Sequence, residues 1–286
     1  MPIVLDNVAY AYAPGTPFET DALRAVNLRV EDGEFVGIMG QTGCGKSTLI
    51  QLIAGLLKPT SGRVSIDGED INAPRYPVDT LRRRLSILFQ YPEQQLFETT
   101  VARDVAFGLR HSGLPARVQR EKVARALSLV GFEADAIAGA SPLELSGGEK
   151  RRVALAGVLA TEPRILILDE PIAGLDPIAR GAFLDLLTRL NGEGVTIIMV
   201  SHSIDALAER AGRILVLHEG ALLMDGCPRA IFADAQRLDA LGLGVPAARN
   251  TALLMARRGV TSMRDVTNYA ELLSAVISRV KGGEAP

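Results

Sequence analysis

Cysteine is scarce in this sequence, with Cys44 and Cys227 its only two. A disulfide framework is thereby excluded, a reducing cytosol fits, and both thiols read as small packing residues rather than reactive groups. An excess of one charge is also lacking: Lys and Arg number 31 against 33 Asp and Glu, a formal net charge of −2. Binding to a phosphate backbone normally needs a basic surface, so nucleic acid is not an expected partner. The densest cationic run, Arg82–Arg84, reads as a solvated helix face. No stretch approaches the roughly 20 apolar residues that span a bilayer. The longest apolar runs, such as VTIIMV at Val195–Val200, are strand-length. MPIVLDNVAYAY has no basic region followed by an apolar one, so no signal peptide is expected. If the protein serves a membrane, the spanning segments belong to another chain. No internal repeat is visible.

What is present suits one large α/β unit with an extension: 286 residues, 48% hydrophobic and 22% charged. Short β-branched apolar runs alternate with longer segments of helical spacing. Core strands are expected at Glu34–Met39, Leu85–Phe89, Ile165–Leu168, Thr196–Val200 and Arg213–Leu217. The last opens a hairpin through His218-Glu219-Gly220 into ALLMDG. Helices are expected over Lys46–Leu57, Glu149–Thr161 and Pro177–Asn191. Ile3–Tyr12 and Leu23–Val30 predict an antiparallel N-terminal layer, with VSIDGEDI its turn-containing piece. From about Pro92 the pattern turns helical, giving a helical subdomain over roughly 92–160 within a domain of residues 1–233. Residues 234–286 change character and predict a small helical extension, with one amphipathic helix in LGLGVPAARNTALLMARRG, another over Tyr269–Val280, and a frayed GGEAP end.

Chemistry enters with GQTGCGKST, comprising Gly40, Gln41, Thr42, Gly43, Cys44, Gly45, Lys46, Ser47 and Thr48. Gly40-x4-Gly45-Lys46-Ser47 fits the P-loop pattern, in its proper context between a strand and a helix. The glycines permit backbone conformations closed to other residues, so N–H groups turn inward around a triphosphate. The helix starting near Lys46 adds its positive end. Lys46 is placed to meet the β- and γ-phosphates and the Ser47 hydroxyl to ligate Mg²⁺. Cys44 sits at a variable position that needs no role for its thiol. The pattern means nucleotide and does not by itself separate kinases, GTPases, helicases and transport ATPases.

Two further motifs narrow the class. ILILDEP places Asp169 and Glu170 at the carboxyl end of a buried strand, where ligands of parallel sheets bind. Asp169 suits an Mg²⁺ ligand through water, and Glu170 a general base for the attacking water. LSGGEKRRVALAG, Leu145 to Gly157, opens a helix with Ser-Gly-Gly, a second anion-binding end with no companion lysine. One nucleotide in one chain needs a single such end; two chains head to tail use both.

These residues strongly resemble the ATP-binding-cassette ATPases over roughly residues 3–230. LSGGE, with Ser146, Gly147, Gly148 and Glu149, is similar to the family signature. Gln90 in ILFQYP is similar to the loop glutamine that touches Mg²⁺ and relays to the membrane partner. AGLDP (Ala173–Pro177) is similar to the D-loop, and His202 in MVSHS to the switch histidine that stabilises the γ-phosphate. Tyr12 resembles the aromatic that stacks on adenine, with Tyr10 the alternative. The resemblance implies a P-loop NTPase (RecA-like) parallel-sheet core, ATP and Mg²⁺, and an active ATPase. Two positions depart from the pattern: Ile172 stands where the family usually has Thr or Ser, and Glu149 where it often has Gln.

Within the family, AYAPGTPFETDAL, FQYPEQQLFETTVARDVAFG and RRVALAGVLATEPRILILDEP resemble the ATPases of energy-coupling factor (ECF) transporters, the cobalt-importer type included. QLFE and the PGTPFE insertion resemble the second ATPase of heterodimeric systems. That resemblance implies a vitamin or metal-ion importer with a second ATPase, a transmembrane T subunit and a substrate-binding membrane S subunit. It also implies a peripheral position at the cytoplasmic membrane face and an extension that helps hold the ATPases together. A cassette of another transporter class, or a soluble cassette acting in DNA repair or translation, are the alternatives.

Overall fold

The computed structural model describes residues 2–110, 112–258, 260 and 266–281. Its centre is a six-stranded sheet in the order β10-β9-β3-β8-β7-β6. Strands β3 (Phe35–Met39), β6 (Leu85–Leu88), β7 (Ile165–Asp169), β8 (Thr196–Val200) and β9 (Arg213–His218) are parallel, and β10 (Ala221–Gly226) is an antiparallel edge. The second sheet is antiparallel, ordered β2-β1-β4-β5 from β1 (Ile3–Tyr12), β2 (Thr20–Val30), β4 (Ser61–Ile66) and β5 (Glu69–Asp70).

Every residue of β3, β7 and β8 is buried. Side chains alternate across a strand, so each of these strands feeds two cores. Val36, Ile38, Ile165, Ile167, Ile198 and Val200 join the layer formed with the antiparallel sheet and helix α1 (Lys46–Ile53). Phe35, Met39, Leu166, Leu168, Ile197 and Met199 face the helical layer. That layer holds α4 (Ala116–Leu129), α6 (Gly147–Leu159), α7 (Pro177–Gly192) and α8 (Ile204–Arg210). Three shorter helices, α2 (Val78–Arg84), α3 (Val101–Val105) and α5 (Ala134–Ile137), complete the run up to α6. After β10 come α9 (Pro228–Ala233), α10 (Ala235–Ala240), α11 (Ala247–Arg257) and α12 (Tyr269–Lys281). Ile231, Phe232 and Leu238 lie in the large core, with Leu241, Leu243 and Val245 packed against it. Ala248, Ala252 and Val266 form a separate small cluster where α11 meets α12.

The parallel core, the antiparallel layer and the helical run agree with the sequence reading, and several details differ. Helix α1 stops at Ile53 instead of Leu57, because Gly55 adopts φ 68° and the Leu56 N–H turns back to the Gln51 carbonyl (2.9 Å), a Schellman-type end. Helices α9 and α10 have no counterpart in the sequence pattern. Cys44 is buried, as expected of a packing residue, but Cys227 is exposed at the start of α9. Arg82 and Arg83 are solvated, whereas Arg84 is drawn in by Asp67 (3.3 Å) and Glu69 (3.2 Å). The expected fraying of GGEAP falls on 282–286, outside the described residues. No helix among the described residues is long and apolar enough to cross a membrane.

Candidate nucleotide site

The strand order brings the carboxyl ends of β3, β8, β7 and β6 side by side, and each is followed by a candidate residue set. β3 runs into Gly40–Gly45. Gly45 has φ 104°, and a Cβ there would lie 2.4 Å from the Ala22 carbonyl oxygen, so the turn accepts only glycine. Cys44 closes the loop through its N–H to the Gln41 carbonyl (3.3 Å), and its own carbonyl accepts from Gly220 of the β9–β10 turn (3.1 Å). Lys46 is buried, its Nζ donating to the carbonyls of Gly40 (2.7 Å) and Gln41 (2.8 Å), so the ammonium sits within the curl of the loop. Gln41, Thr42 and Gly43 are exposed at its rim. Thr48 is buried, with its hydroxyl 3.0 Å from that of Tyr12. Tyr12 is exposed and meets Tyr10 edge-on at 4.9 Å, while Tyr10 packs against the core beneath. The exposed aromatic face beside the P-loop is therefore that of Tyr12.

At the end of β7 the Ser47 hydroxyl donates to Asp169 Oδ2 (3.2 Å). Burial pushes the Asp169 carboxyl up, against the pull of the Ser47 bond and the Lys46 charge. A hydroxyl and a carboxylate side by side fit Mg²⁺, which takes few protein oxygens and keeps waters and phosphate oxygens. No group of three or more His, Cys, Asp or Glu suited to a metal occurs among the described residues. Glu170 is left-handed, at φ 49°. Its Oε2 accepts the His202 N–H (3.2 Å), and its buried Oε1 has no hydrogen-bond partner and lies 3.6 Å from His202 Nε2. Burial pushes the Glu170 carboxyl up; His202 and Lys46 oppose this, and Asp169 reinforces it. A carboxylate oxygen left unpaired beside a metal-type ligand set is suited to accept a proton from water. Gln90 is exposed, two residues beyond Leu88, which is in register with Leu168, so it lies at the same sheet edge.

The signature residues occupy a different place. Ser146 caps α6 in a capping box: its hydroxyl accepts the Glu149 N–H (3.4 Å), and Glu149 Oε2 accepts from the Ser146 N–H (2.9 Å) and hydroxyl (2.7 Å). Glu and Gln serve this box equally, which accounts for Glu149 where Gln is usual. Gly147 and Gly148 are exposed. Ser146, Gly148 and Glu149 line a groove of about 1110 Å³ with Gly174–Asp176 and α7. Gly40–Thr42 and His202 line a separate cavity of about 520 Å³, and the two share no lining residue. Lys46, Ser47, Asp169, Glu170 and His202 thus converge, and none of them lines the groove of Ser146, Gly148 and Glu149.

Comparison with known proteins decides the family. The sequence profile described as "ABC transporter" matches residues 23–173. The energy-coupling factor transporter ATP-binding protein EcfA2 of Symbiobacterium thermophilum is 49% identical over 100% of both chains. That of Caldanaerobacter subterraneus is 43% identical over 99% of both. The chain belongs to the ABC transporter family. Among solved structures, cbiO1 of Clostridium perfringens, described as part of the ABC transporter complex cbiONQ, superposes with a TM-score of 0.73 at 38% identity. It covers 84% of this chain and 94% of its own. An ATP-binding cassette solved as a dimer with ADP and Pi gives 0.70 at 32% identity, covering 79% of this chain and 98% of its own.

Two contacts within this ABC ATPase carry no sequence motif. Arg180 of α7 donates to the Ser203 hydroxyl, next to His202. Gly242 and Leu243, beyond α10, line the P-loop cavity. Their partners lie 23 or more residues away in sequence, so periodicity gives no sign of them.

Proposed function

We propose that this chain is the ATP-binding and hydrolysing subunit of an ECF-type importer, working at the cytoplasmic membrane face. The observation that carries this reading is the end-to-end likeness to ECF transporter ATP-binding proteins, 49% identical over the whole of both chains. In this reading Gly40–Thr48 hold the phosphates, Tyr12 stacks on adenine, and Ser47 and Asp169, with Gln90, hold Mg²⁺. The metal supplies charge neutralisation on the phosphates. Glu170 takes the proton of the attacking water, and His202 stabilises the γ-phosphate. Because Ser146–Glu149 line their own groove, the second anion-binding end for each nucleotide comes from another cassette, head to tail.

Transport requires a membrane contact, and the surface after Gln90 supports one. Tyr91, Phe97 and Phe107 are exposed there, Phe97 and Phe107 meeting edge-on at 4.9 Å, a cluster suited to receive a helix of a T subunit. The exposed stripe Tyr269, Leu273, Ile277 and Val280 on α12 supports residues 234–286 as an ATPase–ATPase contact. The T and S membrane subunits and their vitamin or metal-ion cargo are part of the same proposal. Purifying the tagged chain from detergent-solubilised membranes, followed by mass spectrometry, tests it. A second cassette with T-type and S-type membrane proteins is expected. A paired permease with a soluble binding protein, or co-purifying nucleic acid, would overturn it.

A further inference from the structure

A buried arginine in the signature helix reaches two other loops of the site at once. Arg151, on the second turn of α6, is 8% exposed. Its Nε and Nη2 donate to the two carboxylate oxygens of Glu93 (3.1 and 3.2 Å), a bidentate fork. Glu93 lies three residues after Gln90, and its carboxyl is held below the ordinary range by this guanidinium against the opposing effect of burial. The remaining Nη1 donates to the carbonyl of Ala173. Ala173 in turn closes a tight turn, its N–H bonded to the Glu170 carbonyl (3.2 Å). That turn, Glu170-Pro171-Ile172-Ala173, begins at the left-handed Glu170 and is pinned below by buried Ile172. One guanidinium therefore joins the loop after Gln90, the signature helix and the turn that aims the candidate base.

We infer that Arg151 is a positioning residue for ATP hydrolysis, transmitting the placement of Glu93 and α6 to the Glu170 turn. This rests on the reading of Glu170 as the base. Left-handed backbone at a non-glycine residue costs free energy and persists only where its surroundings hold it. Arg151 adds to that hold from outside the turn, through its bond to the Ala173 carbonyl. Its planar fork matters as well as its charge, since the guanidinium spans the Glu93 carboxylate and the Ala173 carbonyl at fixed geometry, whereas an ammonium is a compact point charge without that fork. Movement of the loop carrying Glu93, the exposed face of which is suited to a membrane partner, then alters the aim of Glu170.

The test uses the purified transporter complex with wild-type, Glu93→Gln, Arg151→Lys and Glu93→Gln/Arg151→Lys versions of this chain. Thermal melting and equilibrium ATP titration accompany the kinetics, and turnover is expressed per ATP-binding-competent molecule. Both single variants are expected to lower kcat about 10-fold or more, with KM and ATP affinity changed less than about 2-fold. The double variant is expected to be no slower than the slower single one, as for two residues acting through one contact. A fold-stabilising role alone would lower the melting temperature and leave kcat per competent molecule unchanged, which overturns the inference. So would multiplicative losses in the double variant. Glu93→Gln is nearly isosteric and partly exposed, so it keeps the test open if Arg151→Lys folds poorly. A wild-type complex that binds but does not hydrolyse ATP would overturn the reading of the site, and this inference with it. Normal wild-type turnover with unaffected variants would overturn the inference alone.

Discussion

Glu170 combines three properties seldom found on one glutamate: left-handed backbone, burial, and a carboxylate oxygen with no hydrogen-bond partner. Each is costly, and together they are what a general base in a water-poor site requires. Glu170→Gln keeps the shape and removes the proton acceptor. ATP binding is expected to survive within about 2-fold while turnover falls by about 100-fold or more, the upper range of a general-base contribution. Parallel ATP titration and phosphate-release assays check this, and near-normal hydrolysis would refute the assignment. The pH dependence follows from the same burial. As the proposed base, Glu170 works only when ionised, and burial, reinforced by Asp169 and opposed by His202 and Lys46, holds its carboxyl above the ordinary range. The acid limb of the kcat–pH profile is therefore expected above the pH at which an exposed glutamate titrates, and a limb at the ordinary carboxylate pH would contradict it. Linkage runs the same way: a raised folded-state value means that ionised Glu170 disfavours the fold as pH rises. Glu170→Gln is thus expected to melt no lower than wild type at neutral pH.

Among the elements, the parts legible in the sequence were those with strong local signals. β3, β7 and β8 were readable because burial on both faces leaves continuous apolar runs. The P-loop was readable because only glycine fits its turn, and α6 and α7 because each opens on a capping residue, Ser146 or Asp176. The helical spacing runs on to Leu57, but Gly55, a C-terminal stop four residues ahead of Pro59, ends helix α1 sooner. Helices α9 and α10 are six residues each, too short to establish a period. The contacts of Arg151 join residues 22 and 58 apart in the chain, and only the folded topology brings them together. The Asp176 carboxylate accepts the Ile178 and Ala179 N–H groups (2.9 and 3.0 Å). Asp176→Ala is expected to cost about 1 kcal/mol in urea unfolding, and Asp176→Asn only a fraction of that. Equal losses for both would show that capping is not what Asp176 contributes.

For the whole molecule, the extension divides into a portion built into the large core and a portion with its own small apolar cluster. Leu238 is fully buried in that core, and Leu241, Leu243 and Val245 pack against it, so a cut at Leu238 would damage the cassette itself. A cut after Pro246 removes α11, α12 and their small cluster, and with them the Asp205 carboxylate's bond to the Ala247 N–H (2.8 Å) and the ion pair of Arg229 on α9 with Glu271 on α12 (3.2 Å). The shortened chain is expected to fold and bind ATP but to pair more weakly with the second cassette in sedimentation velocity. Unchanged pairing would remove the proposed role of 247–286.

In the proposed assembly, the P-loop of one chain and the signature of another make one site. The ATP affinity of the separately purified chain carrying Ser146→Arg tests it most directly. Ser146 lies outside its own chain's P-loop cavity, so affinity should stay within about 2-fold of wild type, while the same variant in the assembled complex loses turnover. A fall in the lone chain's affinity comparable to that of Lys46→Ala would place both motifs in one chain's site and contradict the account.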